Sequence, residues 1–235
     1  MSTISYLPKI TQENLEKLLS KDENFNLEHF LAQYQYERLG LDRLFLILSD
    51  IHKKDRTEAL FLDVGCNNGL LPLMLGLLGY SAVGIDNSVI NSQQVYSPLS
   101  FSKISPGMNV RFYACDLIQY ITEQRHQRFD YVLLLSVMHH WQSGYAMNGN
   151  IMYCHSEIHT ILAELFKRTE RAVYFEIPTN EPGFVQGWDI NFIQNFLSDK
   201  LSVSFLSETI GPNGYIRHLY KGIPLEISSI VNRDL

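Results

Sequence analysis

The stretch Ala59-Leu60-Phe61-Leu62-Asp63-Val64 narrows the possible folds more than any other part of this chain. It is short, almost wholly apolar, and opens directly onto a turn from Gly65 to Gly69. An apolar run without polar alternation is what a central parallel strand, buried on both faces, requires. Four similar runs follow, at Ser81 to Asp86, Asn109 to Asp116, Phe129 to Ser136 and Arg171 to Ile177. Helical patterns separate them. Leu70 to Leu78 is apolar nearly all round, accepts Pro72 in its first turn and stops at Gly79. A helix is expected after Asp86, ending before Pro98, and a short one over Leu117 to Gln124. Ser156 to Lys167 carries Ile158, Ile161, Leu162 and Leu165 on one face, and Asp189 to Leu197 is a further predicted helix. Such alternation predicts a doubly wound, mostly parallel α/β sheet. Ligands of such sheets bind beyond the carboxyl ends of the strands, near the point where strand order reverses.

The two ends of the chain read differently. Leu201 to Leu206 and Tyr215 to Tyr220 are strand patterns joined by Gly211-Pro212-Asn213-Gly214, which is turn chemistry for an antiparallel pair. The expectation is therefore seven strands, with an antiparallel strand near the C-terminus. Residues 1–55 read as an N-terminal helical extension, or lid, in front of a domain over residues 56–235. In it Leu15, Leu18 and Leu19 share a helix face, and Asn26 suits a cap for a helix bearing Leu27, Phe30, Leu31 and Tyr34. Leu41, Leu44, Phe45 and Leu48 repeat the helical spacing a third time.

Charge narrows the partners. The 235 residues carry a net charge of −6, and the densest basic patch is Lys53-Lys54 with Arg56. Phosphate backbones are bound by larger Lys and Arg clusters, so a nucleic-acid partner is disfavoured. No apolar run is long enough to span a bilayer. The N-terminal residues lack a secretion-signal pattern, and three widely spaced cysteines, Cys66, Cys115 and Cys154, make no disulfide framework. A cytoplasmic location is the simplest expectation.

A glycine turn with an acid some way downstream also suggests a dinucleotide, but the spacing argues otherwise. That fingerprint needs glycine at the first, third and sixth places, and counting from Gly65 the third is Asn67 and the sixth Leu70. Asp63-Val64-Gly65-Cys66-Asn67-Asn68-Gly69 instead resembles acid-x-Gly-x-Gly-x-Gly, the first motif of class I S-adenosylmethionine-dependent methyltransferases. Asn67 stands at the middle glycine, and asparagine tolerates the left-handed backbone that such a turn uses. The resemblance covers about Ala59 to Ile177 and includes Asp86, Asp116 and the strand ending at Ser136.

The resemblance implies S-adenosyl-L-methionine as cofactor, with S-adenosyl-L-homocysteine as product. It implies that Gly65, Cys66, Asn67 and Gly69 bring backbone close to the methionine and ribose. Asp86 would accept both ribose hydroxyls, with Asn87 beside the adenine. Asp116 would accept from the adenine amino group, Leu117 would offer its N–H to the ring, and Asp63 would orient the loop and the methionine ammonium. Helix caps are the alternative reading of Asp86 and Asp116.

In this family the segment after strand four, here Ser136-Val137-Met138-His139-His140-Trp141, faces the transferred methyl group. A hydroxyl acceptor must lose a proton, and histidine is the natural base near neutral pH. His140, or else His139, is the candidate base, with packing as the alternative. Glu176 is a candidate for substrate binding, base catalysis or a structural hydrogen bond. Tyr34, Tyr36 and Arg38 are candidates to touch the methionine carboxylate or the acceptor, with core and surface duty as the alternative, and Trp188 with the linker Asn180 to Gly187 is a candidate wall. His155 and His159 have a spacing seen in metal sites, but no metal-ligand pattern is reproduced, and no metal is assigned. The leading expectation is O-methylation of a small-molecule hydroxyl, on a sugar or secondary metabolite. RNA methylation and a non-catalytic module that keeps the fold are the alternatives. Oligomeric state is not legible.

Overall fold

The structure is a computed structural model, and it describes residues 41–52, 58–87, 108–143, 155–179, 197–210 and 214–225. The predicted helices before residue 41, after Asp86 and over Asp189 to Leu197 fall wholly or almost wholly outside these residues. So do Tyr34, Tyr36, Arg38, the Lys53-Lys54-Arg56 patch, Cys154 and Trp188.

The elements follow in chain order. Helix α1 (residues 41–50) precedes β1 (Leu60–Val64), α2 (Leu70–Leu77), β2 (Ser81–Asp86) and β3 (Val110–Ala114). Then come α3 (Leu117–Glu123), β4 (Phe129–Leu134), α4 (Met138–Ser143), α5 (His155–Phe166) and β5 (Thr169–Pro178). The chain ends with β6 (Leu201–Ile210) and β7 (Ile216–Pro224). The seven strands form one sheet in the order β3-β2-β1-β4-β5-β7-β6. Strands β1 to β5 pair in parallel, and β7 runs antiparallel to both β5 and β6. This is the doubly wound, mostly parallel architecture that the alternation predicts. The order reverses between β1 and β4, so the open edge beside those strands is where a ligand is expected.

Side-chain alternation along each strand feeds two cores. Leu62, Val64, Val132 and Leu134 pack against α3, α4 and α5, while Phe61, Tyr131 and Leu133 pack against α1 and α2. Helix α1 belongs to this second core: Leu44 and Ile47 have no exposed surface, and Leu41, Leu48 and Ile51 are nearly as buried. Polar ties fix the helix as well. Asp50 accepts from the Tyr174 hydroxyl at 2.7 Å and pairs with Lys221 at 2.7 Å. Among the described residues no helix is long and apolar enough to cross a membrane.

Several strand boundaries differ from the sequence expectation. Strand β4 stops at Leu134 because Ser136 has φ +59, which no strand accommodates. Strand β3 stops at Ala114 because Asp116 becomes the cap of α3. Strands β6 and β7 run beyond the predicted Leu206 and Tyr220. A register shift between Phe205 and Ser207 breaks the alternation that marks a strand in sequence.

Candidate cofactor and acceptor site

The loop between β1 and α2 folds as a succession of left-handed residues. Gly65 has φ +71, Asn67 φ +50 and Gly69 φ +86. Glycine serves at the first and last because a β-carbon there has no room. One on Gly65 would lie 2.7 Å from Val137 Cγ2, and one on Gly69 would lie 2.7 Å from Phe112 Cε1. Asn67 is exposed, and it supplies the third left-handed residue at low cost. The bend is tied to β2, with the Gly65 and Cys66 N–H groups donating to the Ile85 carbonyl at 2.8 and 3.0 Å. Asn68 Oδ1 accepts from the Leu70 N–H at 3.1 Å and so starts α2, whose cap residue Gly69 has no side chain to offer.

The acids sit around this bend. Asp86, the last residue of β2, accepts the Asn67 N–H on Oδ2 at 2.8 Å, which binds the tip of the loop to the second strand. Asn87 follows it, half-buried. Asp116 accepts the Gln119 N–H on Oδ1 at 2.8 Å and caps α3, so the helix-cap reading holds for that oxygen. Leu117 behind it is buried. Asp63 is 2% exposed, and its Oδ2 has no hydrogen-bond partner among the described residues. Burial pushes its carboxyl up to about 8; Arg43 nearby opposes the rise and Asp86 adds to it. Cys66 is buried in the same loop, and burial followed by the Asp63 and Asp86 charges pushes its thiol up, so it is not a thiolate. Cys115, beside Asp116, is likewise raised by burial.

The turn after β4 brings in residues from four other elements. Ser136 Oγ donates to Glu176 Oε2 at 2.7 Å and accepts from Arg43 Nη1 at 3.0 Å and from Arg217 Nη1. Arg43 of α1 also reaches Glu176 Oε2 at 2.5 Å, and Thr209 of β6 donates to Oε1 at 2.7 Å. Arg217 of β7 lies 3.9 Å from the same carboxylate. Burial alone would raise Glu176, but Arg43, the Thr209 and Ser136 hydroxyls and Arg217 together outweigh it and hold the carboxyl below its usual range. Glu176 is therefore ionised, enclosed and fully partnered. Its carboxylate oxygens are taken up by these protein groups, as the structural reading expects.

His139 and His140 lie on α4 with ring centroids 3.9 Å apart. His139 is 4% exposed, and burial, then His140 and Arg217, lower its pKa to about 2. Such an imidazole stays neutral and holds a proton too weakly to serve as a general base. His140 is half-buried, with its N–H donating to the Val137 carbonyl at 3.0 Å.

Arg43, Thr209 and Arg217 were not legible as site residues. Arg43 is 133 positions from Glu176 in the chain, and an isolated arginine in a strand reads as a solvent-facing residue. No local pattern could have joined them. His155 and His159 both fall on α5, and among the described residues no group of His, Cys, Asp and Glu converges as a metal site.

No family model matches the chain. A curated tRNA (uracil-O(2)-)-methyltransferase from Debaryomyces hansenii is 31% identical over 96 residues, which is 38% of this chain and only 16% of that protein. Among solved structures, the magnesium protoporphyrin IX methyltransferase of Synechocystis PCC 6803 with bound S-adenosylmethionine aligns over 90% of both chains, with a TM-score of 0.54 and 18% identity. The N-methyltransferase NodS of Bradyrhizobium japonicum covers 81% of this chain and 97% of its own, with a TM-score of 0.52 and 15% identity. The bifunctional kinase-methyltransferase WbdD covers 89% of this chain and 46% of its own, with a TM-score of 0.53 and 19% identity. Strand order, the single reversed strand and these likenesses agree: the chain has the fold of the class I S-adenosylmethionine-dependent methyltransferases.

Proposed function

We propose that the chain is an S-adenosylmethionine-dependent methyltransferase that methylates a hydroxyl of a small molecule. One observation carries the cofactor half of this reading. Asp63 Oδ2 is a buried carboxylate oxygen without a partner among the described residues, at the end of β1 beside a left-handed bend. Burial holds this carboxyl protonated, because an unpaired charge there is costly, and a cationic ligand would favour its ionised form. The α-ammonium of a methionine tail is such a ligand. Asp86, already bonded to Asn67 N–H, stands at the end of β2 where a ribose diol would lie. Asp116 has Oδ1 committed to its helix, which leaves Oδ2 for an adenine amino group. Gly65, Cys66, Asn67 and Gly69 would pass beneath the methionine and ribose, Asn87 and Leu117 would flank the adenine, and Ser136 would border the methyl group.

When bound, the cofactor supplies an electrophilic methyl on a sulfonium; everything else falls to the protein. Transfer is an in-line displacement, so holding the acceptor in line supplies much of the rate. His140 is the remaining candidate to take the acceptor proton, since His139 is buried neutral and Glu176 is enclosed. His140→Ala should then lower turnover on a hydroxyl acceptor roughly 10²-fold. Near-normal turnover of that variant would reduce His140 to packing.

A second reading is RNA methylation. The matched tRNA methyltransferase segment favours it, and the net charge of −6 opposes it. A module that keeps the fold without catalysis is the third. Calorimetry with S-adenosylhomocysteine tests the cofactor, and labelled S-adenosylmethionine offered with small-molecule extract or with total RNA tests the acceptor. Label in a small molecule supports the first reading, and label in RNA replaces it. Absence of saturable binding removes both.

A further inference from the structure

The Glu176 cluster and the candidate cofactor loop meet through one turn. Ser136 leaves β4 with φ +59, a conformation that a β-carbon disfavours and that persists only where its surroundings enforce it. Here the hydroxyl is saturated, with its one donor on Glu176 and acceptances from Arg43 and Arg217. The next residue, Val137, occupies the space that a β-carbon on Gly65 would need, 2.7 Å from its Cγ2. The turn that Glu176 holds is thus wedged against the bend at Gly65. The holding groups come from α1, β5, β6 and β7, none of which carries a residue of the Asp63 to Gly69 loop.

The geometry points to Glu176 as a positioning residue that acts through Ser136 and Val137 to set the shape of the bend at Gly65, and hence its grip on the cofactor. A neutral glutamine has nearly the same shape, but it leaves Arg43 and Arg217 without the negative charge between them. Removing one partner of a buried ion cluster is far more disruptive than removing a surface pair. The guanidinium groups would then re-pair, and Ser136 would lose what keeps it left-handed. Tightly packed interfaces pass such shifts on, because they leave no free volume to absorb them.

The inference rests on the S-adenosylmethionine reading, so its test uses S-adenosylhomocysteine as probe, by calorimetry on the full chain, with a melting temperature for every variant. Glu176→Gln should weaken binding roughly tenfold or more, the equivalent of one charge-assisted hydrogen bond. Ser136→Ala should weaken it similarly, because the latch is gone while the β-carbon that disfavours the left-handed backbone stays. Ser136→Gly should weaken it less, since glycine adopts that backbone without strain. Tyr174→Phe is the control. It removes the bond to Asp50 of the same helix α1, seven residues along from Arg43, and should leave affinity within about twofold while lowering stability. Wild-type affinity in Glu176→Gln overturns the inference, as does an equal loss in Tyr174→Phe, which would make affinity a mere reflection of stability. If Glu176→Gln does not fold, the two Ser136 variants decide, and wild-type affinity in both overturns it. A wild-type chain that binds no S-adenosylhomocysteine overturns the cofactor reading itself, and this inference with it.

Discussion

Asp63 and Glu176 are both buried carboxylates, 2% and 1% exposed, on strands β1 and β5 with only β4 between them. Their surroundings are opposite. Glu176 has two guanidinium groups and two hydroxyls about it and is held below its usual pKa. Asp63 has one oxygen with no partner among the described residues and is pushed up to about 8. Burial acts on both; what differs is whether the chain itself supplies the counter-groups. Where it does, the acid fixes the frame. Where it does not, the acid is left in a state that a cationic ligand would improve. Under the proposed cofactor reading, the same contrast divides the carboxyl edge of the sheet into a half that a ligand would complete and a half whose carboxylate the chain itself partners.

The largest effect that bears on this division is expected at Asp86. Its Oδ2 holds the Asn67 N–H, and a ribose would add to its load. Asp86→Ala should weaken S-adenosylhomocysteine binding on the order of 10²-fold, since hydrogen bonds to a charged group contribute about 1.5–3 kcal/mol each. Calorimetry reads it directly. Unchanged affinity would move the ligand away from β2 and dissolve the contrast.

The two halves also differ in how far the sequence reveals them. The cofactor half is local: Asp63, Gly65, Asn67 and Gly69 lie within seven residues, and Asp86 and Asp116 each end the strand pattern that announces them. Spacing and strand ends therefore carry it, and the mostly parallel sheet follows from the alternation. The half around Glu176 is assembled by β7 entering the sheet between β5 and β6, which brings Arg217 and Thr209 to Glu176, and by α1 bringing Arg43. Each of these is an ordinary polar residue in its own neighbourhood. Only the tertiary pairing makes them a cluster, and no periodicity encodes it. Ser136 shows the same limit: it reads as the end of a strand, and its left-handed turn arises from partners 40 to 93 positions away.

The seam between the halves is Val137 against Gly65. Gly65→Ala places a methyl 2.7 Å from Val137 Cγ2 at a φ of +71. Overpacking and backbone strain together should destabilise the chain by about 1–3 kcal/mol. Adding Val137→Ala should return the steric part and leave the strain. The double variant should then be more stable than the sum of the single losses implies, a coupling that denaturant unfolding of the four proteins measures. Strict additivity would mean that the two loops are not in contact, and the halves would have no mechanical link.

The last effect is a slope with pH, and it isolates Asp63. In the folded chain its proton leaves near pH 8, whereas in the unfolded chain it leaves near the ordinary value of 3.8. Between those limits the folded state binds more protons than the unfolded one, so this residue lowers stability as pH rises, and the loss levels off above about 8. Asparagine has no proton to lose. The difference in melting temperature, Asp63→Asn minus wild type, should therefore grow more positive from pH 5 to pH 8 in the absence of ligand, by on the order of 10 °C at about 2–4 °C per kcal/mol for a chain of this length. Taking the difference cancels the other titrating groups, Glu176 among them, whose lowered value makes its own contribution fall away only in acid. A flat difference would mean that Asp63 has a partner after all. Its carboxylate would then belong with that of Glu176, as part of the frame, and the ammonium site would have to be sought elsewhere on the loop.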